Sequence, residues 1–257
     1  MPIGFYGINL STGKTLEHQA DKPACLASIV KIFVLLEVMR QNEEGVLDLS
    51  KKVEYEKSGT KVSSTISDAL DKMIGESDNE ATSALASLVG HDNVNALPKM
   101  LGIDGLGETI LPKPGVLPKM LDKRVFFKRS LSGTDKLAQH GTARAIVKYF
   151  ELLNDNKLIN ENISKKVMEV LERNPKGFAA SAVASSYKGL GKGGSIVWKR
   201  PFFKQYNMVG WGMLLKGEET SVAFCIWYEW FPVKMDEIER HSWRQGISDS
   251  IVRMLLE

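Results

Sequence analysis

Residues 23–39 restrict the fold more than any other stretch. They read Pro23-Ala24-Cys25-Leu26-Ala27-Ser28-Ile29-Val30-Lys31, then Ile32-Phe33-Val34-Leu35-Leu36-Glu37-Val38-Met39. A helix this apolar around its whole circumference is stable only when other elements wrap it. Its end is predicted at Glu43-Glu44-Gly45, where glycine stops a helix. At its mouth stands Ser28, with Lys31 three residues on, and residues three apart share a helix face. A lysine amine taken out of water loses proton affinity and can then accept the serine proton. The pair is therefore a candidate nucleophile with its own base. The competing role for Ser28 is a helix N-cap. Ser-x-x-Lys also recurs at Ser11/Lys14, Ser58/Lys61 and Ser185/Lys188, so the spacing alone does not single this pair out.

Composition removes several function classes. The 257 residues suffice for one large domain or two closely packed lobes. A net charge of +3, with no basic run interleaved with aromatics, gives no footprint for nucleic acid. No stretch is long and apolar enough to span a bilayer. The first six residues, Met1-Pro2-Ile3-Gly4-Phe5-Tyr6, lack the basic segment and apolar core of a signal peptide. That start fits a cytoplasmic protein, or one whose leader has been removed. Cys25 and Cys225 cannot form a disulfide framework, and no cysteine–histidine cluster has metal-ligand spacing. Cys25 adjoins Ser28, but both cysteines lie in apolar runs and read as small buried hydrophobes. No cofactor or metal is expected, and the chain reads as a monomer.

Taken in order, residues 3–19 read as a hairpin turning at Ser11-Thr12-Gly13-Lys14. The Ser28 helix follows, then a polar stretch over 46–64 with a short strand possible at Lys52-Val53-Glu54-Tyr55. Helices are predicted over 65–74, 80–89, 92–101, 142–153 and 162–173. Residues 102–141 are rich in glycine and proline and read as irregular, a length of loop that usually carries function. Three antiparallel strands are expected at 185–197, 208–215 and 221–230, with a closing helix over 236–255. This is an α+β layout: an antiparallel sheet flanked by helices, plus an all-helical lobe. The sheet lobe would span about 1–50 and 180–257, and the helical lobe about 51–179, within one catalytic domain. Trp198, Trp211, Trp227 and Trp230 at strand spacing read as sheet packing rather than a binding platform.

Two further signals can complete a site. Ser77-Asp78-Asn79 falls between two helices, where a turn can project side chains, although each of these residues also caps helices well. Lys192-Gly193-Gly194-Ser195 sets a lysine before two glycines in strand-like sequence, which reads as a bulge or as a strand approached closely by a ligand. Ser-x-x-Lys, Ser-Asp-Asn and Lys-Gly-Gly, in this order and on a helix, a turn and a strand, resemble the serine β-lactamase and penicillin-binding protein superfamily. Within it, the resemblance is specifically to the class A β-lactamase fold.

The resemblance implies roles for individual residues. Ser28 would be the nucleophile and Lys31 its base. Ser77 would pass a proton to the leaving nitrogen, helped by Lys192. Asn79 would hold the substrate side-chain amide and Lys31. Gly193, Gly194 and Ser195 would line the substrate strand, with the N–H groups of Ser28 and Ser195 as oxyanion donors. The implied substrate is a small β-lactam or a D-Ala-D-Ala-like peptide.

Three departures accompany the likeness. Gly193 has no hydroxyl where the family uses one to hold a carboxylate, and Ser195 is a possible substitute. Before Thr142 the chain reads Val125-Phe126-Phe127-Lys128-Arg129-Ser130, without the family's water-activating glutamate. The carboxylates over 105–145 are Glu108, Asp122 and Asp135, and Asp135, Gln139 or His140 are the geometric candidates to replace that base. The family's N-terminal helix before the first strand also has no counterpart. The expected enzyme is therefore a serine hydrolase that is acylated at Ser28 and deacylated slowly. A D-alanyl-D-alanine peptidase or esterase, or a penicillin-sensing module, is the alternative.

Overall fold

The computed structural model describes residues 3–112, 140–174, 187–200, 203–230 and 237–257. The chain opens with strands β1 (Ile3–Asn9) and β2 (Thr15–His18), then a two-residue strand β3 (Ala24–Cys25). A single 3-10 turn, Ala27–Val30, runs directly into helix α1 (Lys31–Glu43). Strands β4 (Lys52–Lys57) and β5 (Thr60–Thr65) follow, then α2 (Ile66–Asp71), a π-helical turn at Lys72–Glu76, α3 (Asn79–Val89) and α4 (His91–Met100). Beyond come the short β6 (His140–Gly141), α5 (Ala143–Asn154) and α6 (Glu161–Arg173). Strands β7 (Lys188–Arg200), β8 (Phe203–Lys216) and β9 (Ser221–Trp230) precede the last helix, α7 (Glu237–Leu256). This is the α+β arrangement expected from the sequence.

The chain forms two compact units. One comprises Met1–Ile29, Thr142–Asp155 and Pro175–Glu257. Its sheet runs β2-β1-β9-β8-β7, antiparallel where the strands pair. Side chains alternate between its two faces, as the pleat requires. Helix α5 packs on one face and α7 on the other. On the α7 face, Met213, Leu215, Phe224, Ile226 and Tyr228 meet Ile251, Val252 and Leu255. The buried Asn9 closes this unit: its Nδ2 donates to the Leu255 carbonyl at 3.0 Å, and its Oδ1 accepts from the Ser11 and Thr12 N–H groups in the β1–β2 turn.

The other unit comprises Val30–Gly141 and Asn156–Asn174. Here α1 is surrounded by α3, α4 and α6, and every residue from Lys31 to Met39 is buried. The apolar run is thus wrapped on all sides, as its composition demands. Glu37, inside that run, is fully buried but satisfied by the Arg40 guanidinium at 2.6 and 2.8 Å and by Gln41 Nε2 at 2.7 Å.

Two details differ from the sequence reading. A division at about residues 50 and 180 puts α1 with the sheet and α5 with the helices, whereas the structure does the reverse. The physical reason is the width of each apolar face. Helix α1 is buried all round and needs helices about it, while α5 offers Ile146 and Phe150 to β8, where a methyl on Gly212 would come within 2.4 and 3.0 Å of them. The second unit also contains the β4–β5 hairpin rather than helices alone. Its turn, Ser58–Gly59, has φ of 53° and 80°, the paired positive values of a tight two-residue hairpin loop.

Candidate active site

Ser28 lies in the 3-10 turn, half-buried, and is presented by Ala27, a non-glycine residue at φ 46°. A left-handed alanine is strained by roughly 1–2 kcal/mol, and such strain persists only where the surroundings over-determine it. The surroundings here are visible. Strand β7 passes so close that a Cβ on Gly194 would sit 2.8 Å from both the Leu26 carbonyl oxygen and the Ser28 amide nitrogen, and 3.0 Å from the Ala27 methyl. Glycine at 194 is therefore a requirement of close approach between the strand and the serine turn. The first amides of a helix have no partner within it, so the Ser28 N–H is set against β7 at the start of a helical segment. The lysine–glycine–glycine segment is regular strand, paired residue for residue with β8 from Lys188 to Trp198, and neither a turn nor a bulge.

Gly193 is held from the opposite face. It pairs across the ladder with Trp211, and a Cβ on Gly193 would fall 2.5 Å from Trp211 Nε1 and 2.8 Å from its Cδ1. The indole thus fills the space a side chain at 193 would need. Lys192 is buried, and its Nζ donates to the Gly193 carbonyl at 3.1 Å. Ser195 is exposed.

Lys31, the first residue of α1, gathers the other motif. Its Nζ donates to the Ser77 carbonyl at 2.6 Å, Asn79 Oδ1 at 2.8 Å, Ser77 Oγ at 3.1 Å and the Asp78 carbonyl at 3.4 Å. The amine is out of water, as the sequence suggested, but it is surrounded by oxygens rather than hydrocarbon. Backbone geometry makes this cage possible. The π turn Lys72–Glu76 under-winds and widens the end of α2, Ser77 follows at φ 60°, and both its carbonyl and its hydroxyl accept from the amine. Asp78 then caps α3, accepting from the Ala81 N–H at 2.9 Å, and its second oxygen takes the Lys57 ammonium. Burial raises the Asp78 pKa, but the Ala81 N–H and Lys57 outweigh it and hold the carboxyl below the usual range. Asn79 is exposed, and its amide oxygen accepts from Lys31.

The structure therefore joins Ser28 to Gly194, and Lys31 to Ser77 and Asn79. Sequence reasoning missed Lys57, whose ion pair with Asp78 steadies the Ser77 turn, and it missed the tie between Trp211 and Gly193. A basic residue at the tip of a polar hairpin carries no signal of its own, and a cross-strand contact depends on register. Cys25 is buried, and burial pushes its thiol up to about 11, with the Ala27 backbone bond a smaller opposing effect. At neutral pH it is a packed thiol. Of the candidates for the missing glutamate, Asp135 and Gln139 lie outside the described residues, as do Asp122 and the 125–130 segment. His140 is half-buried in β6, its carbonyl accepting from the Gly107 N–H at 2.8 Å, and Glu108 is exposed. Among the described residues no cluster could hold a metal ion, and no helix is long and apolar enough to cross a membrane.

Residues 2–195 match the beta-lactamase enzyme family. The fold is similar to a β-lactamase from Sphaerobacter thermophilus (18% identity, 97% of this chain and 89% of that one, TM-score 0.71). It is also similar to the TLA-1 extended-spectrum β-lactamase (15% identity, 100% and 93%, TM-score 0.77) and to PBP-A (15%, 98% and 89%, TM-score 0.73). No curated protein matches the chain in sequence.

Proposed function

Since the chain belongs to the beta-lactamase enzyme family, we propose that it is a serine hydrolase that opens a β-lactam or a related amide through an acyl-enzyme on Ser28. The observation that carries this reading is the hydrogen bond of 3.1 Å between Lys31 Nζ and Ser77 Oγ. It would be the middle link of a proton path that runs from Ser28 through Lys31 and Ser77 to the leaving group. Ser28 Oγ attacks the carbonyl carbon and passes its proton to Lys31, which must first give up one of the protons it donates to its oxygen cage. The tetrahedral oxyanion accepts hydrogen bonds from the N–H groups of Ser28 and Ser195, each worth roughly 3 kcal/mol in such a site. When the C–N bond breaks, Ser77 Oγ–H protonates the leaving nitrogen and is reprotonated by Lys31. Each proton that leaves Ser28 thus reaches the leaving group, and no metal or cofactor enters the scheme. Asn79 orients Lys31 through its amide oxygen and offers its NH₂ to a substrate carbonyl. The resemblance gives Lys192 the role of helping the Ser77 proton transfer.

Acylation has all its groups, while the sequence offers no Glu-x-x-x-Asn before Thr142 to activate water. Deacylation is therefore the slow step, and the acyl-enzyme accumulates. Mixing the protein with a chromogenic cephalosporin should give a burst close to one equivalent, then weak turnover, with a mass adduct on Ser28. Ser28→Ala should abolish both burst and adduct. An adduct elsewhere, or none, overturns acylation at Ser28. Steady turnover without a burst overturns slow deacylation. The penicillin-binding reading, for which similarity to PBP-A is the support, predicts an adduct with no product and faster reaction with a D-Ala-D-Ala peptide.

A further inference from the structure

Helix α3 and strand β4 pack within the second unit, and between them runs an open groove of about 610 Å³. One wall is Val53–Glu56 of β4, about 13 Å of extended chain. The other is one face of α3, where Asn79, Glu80, Ser83, Ala84, Ser87 and Leu88 recur at helical spacing over about the same length. Leu88 ends this wall as an exposed apolar side chain, and Asn79 begins it with its amide oxygen on Lys31.

Strand β4 leaves polar capacity unspent along the groove. The two-residue loop Ser58–Gly59 makes Lys57 and Thr60 a hydrogen-bonded pair, and bonded and non-bonded pairs alternate from there. Val53 and Tyr55 therefore spend their main-chain groups on β5, whereas the N–H and C=O groups of Glu54 and Glu56 point away from it. Among the described residues β4 pairs with no other strand, and no further main-chain bond engages Glu54 or Glu56. Tyr55, in the same wall, has its hydroxyl buried and without a hydrogen-bond partner among those residues. Native proteins seldom leave such groups unpaired. The groove is also charged: Glu54, Glu56 and Glu80 line it, and no described lysine or arginine does. Lys57, beside the hairpin turn, is engaged by Asp78, while Lys52 and Lys61 share the hairpin face of Glu54 and Glu56 but lie outside the groove.

We propose that this groove is a binding site for an extended basic peptide, whose main chain pairs with the free edge of β4 and whose amines meet Glu54, Glu56 and Glu80. A bare strand edge selects main chain, and the carboxylates select positive charge. The site meets the candidate active site at Asn79, and no bond is made or broken in it.

The probe is fluorescein-Lys-Val-Lys-Val-Lys-amide, titrated with the full chain and followed by fluorescence anisotropy. It should bind saturably, and its glutamate counterpart, fluorescein-Glu-Val-Glu-Val-Glu-amide, about tenfold more weakly or worse. Glu54→Gln, Glu56→Gln and Glu80→Gln combined should weaken the lysine peptide by about tenfold, the scale of several exposed ion pairs. Ser87→Arg, which sets a long cation in the helix wall, should weaken it as much, and melting curves show whether each variant is folded. Main-chain pairing has its own signature, because an added strand bonds through alternate residues only. Methylating the valine amides and methylating the lysine amides should therefore differ in effect by about tenfold. No saturable binding, or unchanged binding in the folded variants, overturns the site. Equal losses from the two methylated peptides overturn the pairing with β4. Failure of the cephalosporin burst leaves these results standing, since no step here uses Ser28.

Discussion

At the scale of single residues, the geometry around Ser28 is held under strain and by contact. Ala27→Gly removes the unfavourable left-handed alanine but also a buried methyl worth roughly 0.8 kcal/mol, so thermal stability should change by less than about 1 kcal/mol. The acylation rate should nonetheless fall severalfold, because glycine frees the turn that aims Ser28. Stopped-flow acylation beside a melting curve separates the two effects. Lys31→Met should cost far more, about a hundredfold or greater in acylation, the usual scale for loss of a general base. Much of this site was legible in the sequence, since Ser28, Lys31, Ser77 and Asn79 stand in short local motifs whose spacing the backbone converts directly into neighbours. What escaped depends on distance along the chain. Trp211 follows Gly193 by a whole hairpin and becomes its neighbour only through register. Trp211 is sheet packing, as its strand spacing suggests, and its contact with Gly193 shows only when the strands are paired. The oxygen cage around Lys31 was equally hidden, because it consists of main-chain carbonyls and of a π turn that no side-chain pattern announces.

At the scale of elements, the start of α3 depends on charge. Asp78 has its pKa lowered on folding, so it contributes stability that is present above the unfolded carboxylate value and lost as pH falls through the folded value. Wild-type protein should therefore lose more stability than Asp78→Asn between pH 7 and the low end of the carboxylate range. Lys57→Met should destabilise at neutral pH and have little effect once Asp78 is protonated. Denaturation midpoints across that pH range decide it, and identical slopes for wild type and Asp78→Asn would refute the assignment. In α1, Arg40→Ala strips Glu37 of both guanidinium bonds while leaving its carboxylate buried. The loss should be about 3 kcal/mol, and a compensating Glu37→Leu in the same chain should recover most of it. The hairpin β4–β5 illustrates the limit of pattern reading at this scale. Residues Thr60–Thr65 are polar apart from Val62 and exposed or half-buried throughout, so no alternation marks them as a strand.

At the scale of the molecule, the two cysteines report on the sheet unit. Cys25 and Cys225 are buried, and burial pushes both thiols up. Neither should react with iodoacetamide at neutral pH until that unit opens, and both should then be alkylated together. Reaction of Cys25 alone in native buffer would mean that the Ser28 turn opens locally. Asn9 bridges 246 residues to reach Leu255, and Asn9→Ala should cost about 2 kcal/mol by orphaning a buried carbonyl and loosening the β1–β2 turn.

Strand β1 lies between β2, its neighbour in sequence, and β9, some two hundred residues later. During synthesis the first hairpin therefore leaves the ribosome with one edge bare, and it stays so until nearly the whole chain has emerged. Contacts of such long separation form late and slowly, and an unpaired strand edge invites pairing with other chains. The helices between these strands can assemble from nearly continuous sequence in the meantime. In pulse-labelled hydrogen exchange, amides of α1 and α3 should gain protection before those of β1. A ribosome stalled short of Ser221 should hold a nascent chain whose first strand is open to capture by a chaperone or by another copy of itself.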